Sequence, residues 1–174
     1  MRASSASTEY HVRYMRLALE EAAKCTPIPT AFCVGCVITV PADNATTHKI
    51  LSTGYSRELP GNTHAEANAL AKAHTLANSD EFHQMFGHEA DIEGLLRTAD
   101  VYTTLEPCSV RTSGLAPCAD ALIAAKIRTC IIGVSEPDDF VQCEGTRKLQ
   151  EAGVQVIRLE SMEAECLAAA RRGH

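Results

Sequence analysis

Residues 100–134 read DVYTTLEPCSVRTSGLAPCADALIAAKIRTCIIGV, and this stretch decides the fold. Asp100 to Leu105 and Thr129 to Val134 have the short, β-branched pattern of buried strands. Ala116 to Lys126 has the pattern of a helix between them. A strand, a helix and a second strand in this order predict parallel strands, with the helix packed against the sheet.

The rest of the chain continues this alternation. We predict further helices at residues 10–25, 64–77, 145–151 and 162–171, and further strands at residues 33–40, 50–55 and 154–159. The polar segment 78–97 is predicted to be helical with a break at Gly87. A turn at Pro41-Ala42-Asp43-Asn44 makes strand 50–55 the antiparallel partner of strand 33–40. These patterns predict an α/β fold, a three-layer αβα sandwich with helices on both faces of the sheet.

Length and composition indicate one acidic domain. The chain has 174 residues and is 45% hydrophobic, so we expect a single domain over residues 1–174. Residues 1–8 are mostly small and polar, and we expect them to form a mobile leader. A formal net charge of −6, few aromatic residues and no Trp argue against a nucleic-acid partner. No apolar stretch approaches the ~20 residues of a membrane span, so we expect no membrane contact.

The cysteine content favours a reducing compartment. Eight cysteines could indicate a disulfide scaffold. The N-terminus, however, has no apolar signal core, and several of the cysteines lie inside apolar runs. We therefore expect reduced thiols and a cytoplasmic location.

Three short segments carry residues that bind zinc in proteins. His64 stands two positions before Glu66 at a predicted helix start, and Cys108 and Cys118 each follow a proline. One histidine and two cysteines can hold Zn²⁺ and leave the fourth tetrahedral position open, as a catalytic zinc requires. H-x-E followed by P-C-x-x-C is typical of zinc-dependent base deaminases, in which the Glu handles protons and is not a ligand. Here the second half is stretched to P-C-x9-C.

This residue set suits the hydrolysis of an amidine-like carbon–nitrogen bond. Two thiolates and a neutral imidazole balance the charge of Zn²⁺, which lowers the pKa of bound water to roughly 7. We predict that Glu66 takes a proton from this water and passes protons to the ring nitrogen and the departing amine. Ammonia leaves and a carbonyl group remains.

Each of these residues also has a purely structural interpretation. Thr63 and Glu66 match the capping-box pattern S/T-x-x-E at a helix start, a role that is compatible with a site beside the helix. Taken singly, Cys108 and Cys118 fit small core residues. The combination of the segments is what favours a shared zinc.

The other cysteines and histidines are weaker metal candidates. Cys33 and Cys36 form a C-x-x-C, but residues three apart in a strand point to opposite faces. His83 and His88 lie in the polar segment, where a solvated face is the simpler interpretation. The remaining cysteines fit small core residues, namely Cys25, Cys130, Cys143 and Cys166.

The runs HAEANAL at 64–70 and TLEPCS at 104–109 resemble the cytidine-deaminase-like superfamily. Within it the riboflavin-pathway deaminases match best, because their two zinc cysteines are separated by a long loop. The loop SVRTSGLAP at 109–117 is similar to the fungal form of these enzymes. The resemblance covers the chain from about residue 30 to residue 159.

This resemblance implies a mixed sheet of about five strands and a homodimer. It implies zinc as cofactor, with His64, Cys108 and Cys118 as ligands and Glu66 as proton shuttle. The implied substrate is a pyrimidine ribityl phosphate, 2,5-diamino-6-ribitylamino-4(3H)-pyrimidinone 5'-phosphate, which loses its 2-amino group.

Two departures from the bacterial relatives stand out. Thr30-Ala31-Phe32 occupies the place of a Pro-Asn-Pro, which removes an asparagine that could touch the substrate. This is consistent with an open-chain ribityl substrate. Residues 1–174 include no reductase domain, so we expect a separate protein to perform the reduction.

Four residues are candidates for binding the substrate. Arg111 offers planar, bidentate donors for a phosphate, or is a solvated loop charge. Asn62 could hydrogen-bond the substrate or cap the following helix. Ser113 and Gly114 are expected to shape the loop over the substrate.

Three rival functions stay open. The chain could deaminate cytosine, a free nucleotide or a tRNA adenosine, although a tRNA enzyme should show a basic face and a compact P-C-x-x-C. It could be an inactive zinc-binding interaction module, against which the intact Glu66 argues. A four-ligand structural zinc is the third possibility.

Overall fold

The computed structural model describes residues 5–42, 47–111, 114–137 and 144–174. The helices within these ranges are α1 (Ser5–Lys24), α2 (Ala65–Leu76), α3 (Asp80–Phe86), α4 (Ile92–Leu96), α5 (Cys118–Ala124), α6 (Gly145–Glu151) and α7 (Glu163–Ala170). The strands are β1 (Gly35–Pro41), β2 (His48–Tyr55), β3 (Asp100–Leu105), β4 (Thr129–Val134) and β5 (Gln155–Arg158). A 3₁₀ turn (Glu160–Met162) precedes α7.

The five strands form one mixed sheet in the order β2-β1-β3-β4-β5. The strand β1 pairs antiparallel with both β2 and β3, whereas β3, β4 and β5 are mutually parallel. Every residue of β3 and β4 is buried, as expected for strands covered on both faces. The predicted mixed sheet of five strands, with parallel later strands, is confirmed.

Helices cover both faces of the sheet. The helix α1 packs on β1 and β3 and contacts α7, while α2 packs on β2 and contacts α5. Gly35 and Gly54 show that α1 and α2 lie on opposite faces. Gly54 pairs with Cys36, one position along from the Gly35–Tyr55 pair, so the two glycines face opposite ways. A Cβ on Gly35 would meet the backbone of α1, and one on Gly54 would meet α2. The predicted three-layer αβα sandwich is confirmed.

Most element boundaries differ from the predictions by a few residues. The first helix begins at Ser5 and not near Tyr10, so residues 5–8 of the expected leader belong to α1. The helix after Cys108 begins at Cys118 because Pro117 stands at its N-cap with an extended ψ of 148°. The polar segment forms two helices separated at Gly87, whose φ of 88° favours glycine. Residues 1–4, the turn residues Asp43 and Asn44, Ser113 and Cys143 lie outside the described ranges.

None of the helices in the described ranges has the length and apolar character needed to cross a membrane.

A buried polar cluster closes the end of the sheet where β3 begins. The carboxylate of Asp100 accepts two hydrogen bonds from Arg128, at 2.8 and 3.1 Å. The ring of His48 lies 3.2 Å from the Thr39 hydroxyl and 3.6 Å from Asp100. Burial lowers the pKa of His48, against the opposing effect of Asp100. The neutral form of the buried His48 ring is therefore favoured more strongly than that of a histidine in water.

We predict that His48 makes folding less favourable in acid. The unfolded chain protonates this ring near pH 6.5, whereas the folded chain, with its lowered pKa, binds fewer protons. Its contribution to stability is therefore present above about pH 6.5 and is lost as the pH falls below that value. Urea unfolding of the wild type and of His48→Gln should show a smaller loss between about pH 7.5 and 5.5 in the variant. Equal losses in both proteins would show that His48 is not responsible.

We predict that Gly54→Ala destabilises the contact between β2 and α2. The added Cβ would lie 2.6 Å from the Ala69 nitrogen and also against the Ala65 carbonyl oxygen, both backbone atoms that cannot rotate away. The unfolding free energy should fall by about 1–3 kcal/mol, the range of overpacked cores. Thr53→Ala on the same strand is the matched control and should cost less. A variant as stable as the wild type would show that α2 can shift freely.

Candidate active site and metal centre

Three metal-binding side chains meet at the carboxyl end of β3. The Nδ1 atom of His64 lies 3.5 Å from the Sγ of Cys108 and 3.4 Å from the Sγ of Cys118. All three ligand atoms lie within 4.8 Å of one another. A zinc with bonds of about 2.0–2.3 Å in a tetrahedron holds such N and S atoms about 3.5 Å apart. The three side chains predicted to share a metal are therefore brought together with spacings that fit zinc.

Local backbone structure orients each of these side chains. His64 is the N-cap residue of α2 in an extended conformation, and its side chain makes no capping bond. Cys118 is the first residue of α5, and its backbone N–H donates to the Cys108 Sγ at 3.3 Å. The Cys108 carbonyl in turn accepts from the Ala119 N–H at 3.1 Å. Two helix starts and the end of a strand thus converge on one point.

The two thiols differ in their affinity for protons. A hydrogen bond from the Cys118 thiol, with a second from His64, lowers the pKa of Cys108 to about 4. The same hydrogen bond, together with burial, raises the pKa of Cys118. The hydrogen bond with Cys108 raises the pKa of His64. The Cys108 thiol therefore loses its proton more readily than an ordinary thiol, and the thiolate is the form that binds a soft divalent metal.

The carboxylate of Glu66 lies in the same cavity. Its side chain extends from the first turn of α2 and is only 3% exposed. The Thr103 hydroxyl, on β3, donates to Oε1 at 3.0 Å. Burial, reinforced by the negative charge of Cys108, raises the pKa of Glu66. The group is therefore closer to exchanging protons at neutral pH than an ordinary carboxylate.

The capping-box interpretation of Thr63 and Glu66 is wrong. The N-cap is His64, one residue later than that pattern requires, and the Thr63 hydroxyl donates to the Leu59 carbonyl at 3.0 Å. The Thr63 hydroxyl also accepts from the Asn68 side chain. The carboxylate of Glu66 is thus left free to face Thr103 and the cavity.

A cavity of about 190 Å³ opens beside these residues. Its lining includes His64, Glu66 and Cys108, together with residues from the segment before β1 and from the loop after β3. The cavity therefore gives a small molecule access to the metal-binding atoms and to the carboxylate at once.

Two of the four predicted substrate-binding residues line the cavity. Asn62 and Arg111 both line the cavity, and the Arg111 Nη2 donates to the Asn62 carbonyl at 2.6 Å. Asn62 does not cap α2, so the capping alternative for this residue is wrong. Gly114 is exposed at a φ of 77° and does not line the cavity. Ser113 lies outside the described residues.

Sequence reasoning missed several residues around the cavity. The sequence marks Thr103 only as a strand residue, because threonine is common in strands. Its hydrogen-bond partner, Glu66, is 37 positions away in the chain. Glu106 is 6% exposed, lines the cavity and accepts from the Thr146 N–H at 2.8 Å. Arg57 and Glu136 also line it, and no motif in the sequence marks either one.

The rival metal sites do not form among the residues that the structure describes. There His64, Cys108 and Cys118 are the one set of three or more ligands close enough to share an ion. Cys33 and Cys36 are buried, as predicted for core packing, and so are Cys25, Cys130 and Cys166. The rings of His83 and His88 stack on each other at 5.0 Å.

Comparison with known proteins shows which family has this arrangement. Residues 8–134 match the family model of the cytidine and deoxycytidylate deaminase zinc-binding region. A Schizosaccharomyces pombe diaminohydroxyphosphoribosylamino-pyrimidine deaminase is 43% identical over 94% of this chain, and Escherichia coli riboflavin biosynthesis protein RibD is 33% identical over 91%. The chain spans 36% and 35% of those two proteins, about a third of their length.

Solved structures show the same fold. Aspergillus oryzae Rib2 deaminase, as a C-terminal deletion mutant, matches with a TM-score of 0.75 and 32% identity, over 94% of this chain and 92% of that one. The same protein in complex with DARIPP matches with a TM-score of 0.74 and 31% identity. The chain belongs to the cytidine and deoxycytidylate deaminase family, and the relatives it matches here are riboflavin-pathway deaminases.

Proposed function

We propose that this protein is a zinc-dependent deaminase of riboflavin biosynthesis. Its substrate would be 2,5-diamino-6-ribitylamino-4(3H)-pyrimidinone 5'-phosphate, which would lose its 2-amino group as ammonia. The observation that carries the proposal is a His/Cys/Cys set, of which His64 and Cys108 line a cavity together with the buried carboxylate of Glu66. The names of the relatives support the choice of a pyrimidine phosphate.

His64, Cys108 and Cys118 would hold the zinc. Three protein ligands leave one tetrahedral position open, and the metal would supply an activated water there. The lowered pKa of Cys108 favours binding, because a thiolate is the form that ligates a metal. The hydrogen bonds to the Cys108 sulfur and carbonyl would keep this ligand in place.

Glu66 would move the protons of the reaction. Thr103 holds one carboxylate oxygen, which fixes the orientation of the group towards the cavity. The carboxylate would accept a proton from water as a carbon–oxygen bond forms at the ring carbon. It would give that proton to the ring nitrogen, then take the proton of the new hydroxyl group and pass it to the amine, so that a carbonyl forms, the carbon–nitrogen bond breaks and ammonia departs. The raised pKa makes this carboxylate a better proton acceptor than an ordinary glutamate.

Charge and loop length favour a small phosphorylated substrate over nucleic acid. The formal net charge of −6 gives little attraction for a polyanion. Arg111 lies in the stretched segment between the two cysteines and lines the cavity, where it could meet one phosphate group. A guanidinium binds a phosphate in a bidentate manner, which suits a single terminal group.

The homodimer, the cytoplasmic location and the single domain stay predictions. Relatives in Zea mays and Arabidopsis thaliana are named as chloroplastic, so the location differs among relatives. Light scattering of the zinc-loaded protein would measure the mass of the particle and decide between a monomer and a dimer.

We predict that Glu66→Gln keeps the metal and loses the reaction. The amide fills the same space but cannot exchange protons, so ammonia release should fall by at least about 100-fold, as for loss of a general acid–base group. Ammonia release is measured with zinc-loaded protein on the ribitylamino and ribosylamino pyrimidine phosphates side by side. We expect the wild type to prefer the ribitylamino compound.

The controls separate chemistry from folding. Glu20→Gln, on the exposed face of α1, should keep full activity. Zinc content and the melting temperature of Glu66→Gln should match those of the wild type. A fully active Glu66→Gln would refute the proton role, and a wild type inactive on both compounds would refute the proposed substrate.

We predict that Arg111→Met weakens substrate binding through the phosphate. Loss of a charged hydrogen-bond donor should raise KM by roughly tenfold or more, with a smaller change in kcat. The rise should disappear when the dephosphorylated pyrimidine is the substrate. Arg16→Met on the exposed face of α1 is the matched control and should leave KM unchanged. An equal rise with both substrates would show that Arg111 acts by holding Asn62.

A further inference from the structure

The segment between α1 and β1 forms one wall of the cavity. Four of its residues line the cavity, namely Thr30, Ala31, Phe32 and Val34. The segment has almost no secondary structure of its own, since it contains one isolated bridge, between Ile28 and Ala31. Its conformation must therefore be stabilised by contacts with other parts of the chain. It is also the segment where the sequence departs from the bacterial Pro-Asn-Pro.

Arg57 makes several of the contacts that stabilise this wall, beside the Cys33 N–H, which donates to the Ala170 carbonyl at 3.0 Å, and the Phe32 ring, which stacks on His174. Its Nη2 donates to the Thr26 carbonyl at 2.9 Å, and its Nη1 donates to the Phe32 carbonyl at 3.2 Å. One guanidinium thus joins both ends of the segment 26–32. The same group contacts the sulfur atoms of Cys25 and Cys33, at 2.7 and 3.7 Å.

The backbone of Arg57 connects this wall to the metal site. The residue follows Ser56, just after β2, with a left-handed φ of 63°, which is uncommon for a residue other than glycine. Its N–H donates to the carbonyl of Thr63 at 2.7 Å, directly before the metal-binding His64. Ser56 adds a second connection, because its hydroxyl accepts from the Val34 N–H at 2.9 Å.

The contacts of Arg57 require the planar, several-donor head group of an arginine, because two of its nitrogens donate to two different backbone carbonyls. Among the described residues no carboxylate forms an ion pair with Arg57. Its guanidinium N–H groups contact backbone carbonyls and cysteine sulfur atoms instead. A planar guanidinium holds two acceptors in a fixed relation, whereas the ammonium of lysine is a point charge on a flexible stem. Arg57 itself also lines the cavity. A change at this position should therefore alter the shape of the cavity and leave the metal ligands in place.

We propose that Arg57 is a positioning residue that sets the affinity for substrate by fixing the wall formed by residues 26–34. This proposal rests on the proposed deaminase function and deepens it. The guanidinium acts through the carbonyls of Thr26 and Phe32 and has no part in proton transfer. Its loss should raise KM and leave kcat nearly unchanged.

The test compares Arg57→Lys and Arg57→Ala with Arg16→Lys, a matched change on the exposed face of α1. For Arg57→Lys we expect KM for the ribitylamino pyrimidine phosphate to rise by roughly tenfold, the effect of losing one charged hydrogen bond. kcat should stay within about twofold, and zinc content and melting temperature should match the wild type. Methylguanidinium should lower the KM of Arg57→Ala, and methylammonium at the same concentration should not.

A second measurement does not depend on turnover. Backbone amides of residues 26–34 should exchange with deuterium faster in Arg57→Lys than in the wild type, while the peptide containing His64 keeps its rate. An unchanged KM together with unchanged exchange would overturn the proposal, and so would a fall in kcat that follows a loss of zinc. If the wild type itself releases no ammonia, the proposed function fails, and the exchange experiment still decides whether Arg57 holds the wall.

Discussion

The pairing of β3 with β1 on one side and with β4 on the other is the constraint on which the site depends. All six residues of β3 are buried, and the strand runs parallel to β4 and antiparallel to β1. Thr103 of this strand donates a hydrogen bond to Glu66, and Cys108 follows the carboxyl end of the strand, close to His64. Ligands of α/β folds bind in the crevice beyond the carboxyl ends of the parallel strands. The His64, Cys108 and Cys118 side chains lie at this end of β3.

Two buried carboxylates beside the cavity accept hydrogen bonds from nearby donors. The carboxylate of Glu66 accepts from a hydroxyl on β3, and that of Glu106 accepts from the backbone of α6. Without such donors a buried carboxylate would pay a large desolvation cost. Burial, with the negative charge of Cys108, raises the pKa of Glu66 and outweighs the hydrogen bonds that lower it, among them the one from Thr103. With its raised pKa, the Glu66 carboxylate accepts a proton more readily than an ordinary glutamate does.

Two kinds of connection shape the cavity. The metal ligands are joined by short contacts among themselves, from His64 to both sulfur atoms. Other parts of the cavity lining are held by arginine side chains that reach backbone carbonyls, Arg57 at Thr26 and Phe32, and Arg111 at Asn62. The chemistry and the shape of the site can therefore vary separately, which fits a family that deaminates different bases.

Local patterns were sufficient for the elements and for the metal set. The bounds predicted for β3, β4 and α6 match those of the structure, because hydrophobic runs and turn residues act over neighbouring positions. The H-x-E and P-C pairs indicated the candidate metal set for the same reason, since each pair is a contiguous motif. The capping box at Thr63 was wrong, because the pattern is local but the partner of Glu66 is a threonine 37 residues away.

Patterns in the amino-acid sequence were enough to predict the layered α/β fold, the His/Cys/Cys set and the carboxylate beside it. The contacts of Thr103 with Glu66, of Arg57 with both ends of the wall and of Arg111 with Asn62 became visible only in the folded chain. Each of these contacts joins residues separated by 25 to 49 positions in the chain. A contact of this kind leaves no periodic pattern or fixed spacing in the sequence. It forms only when the sheet brings distant segments of the chain together.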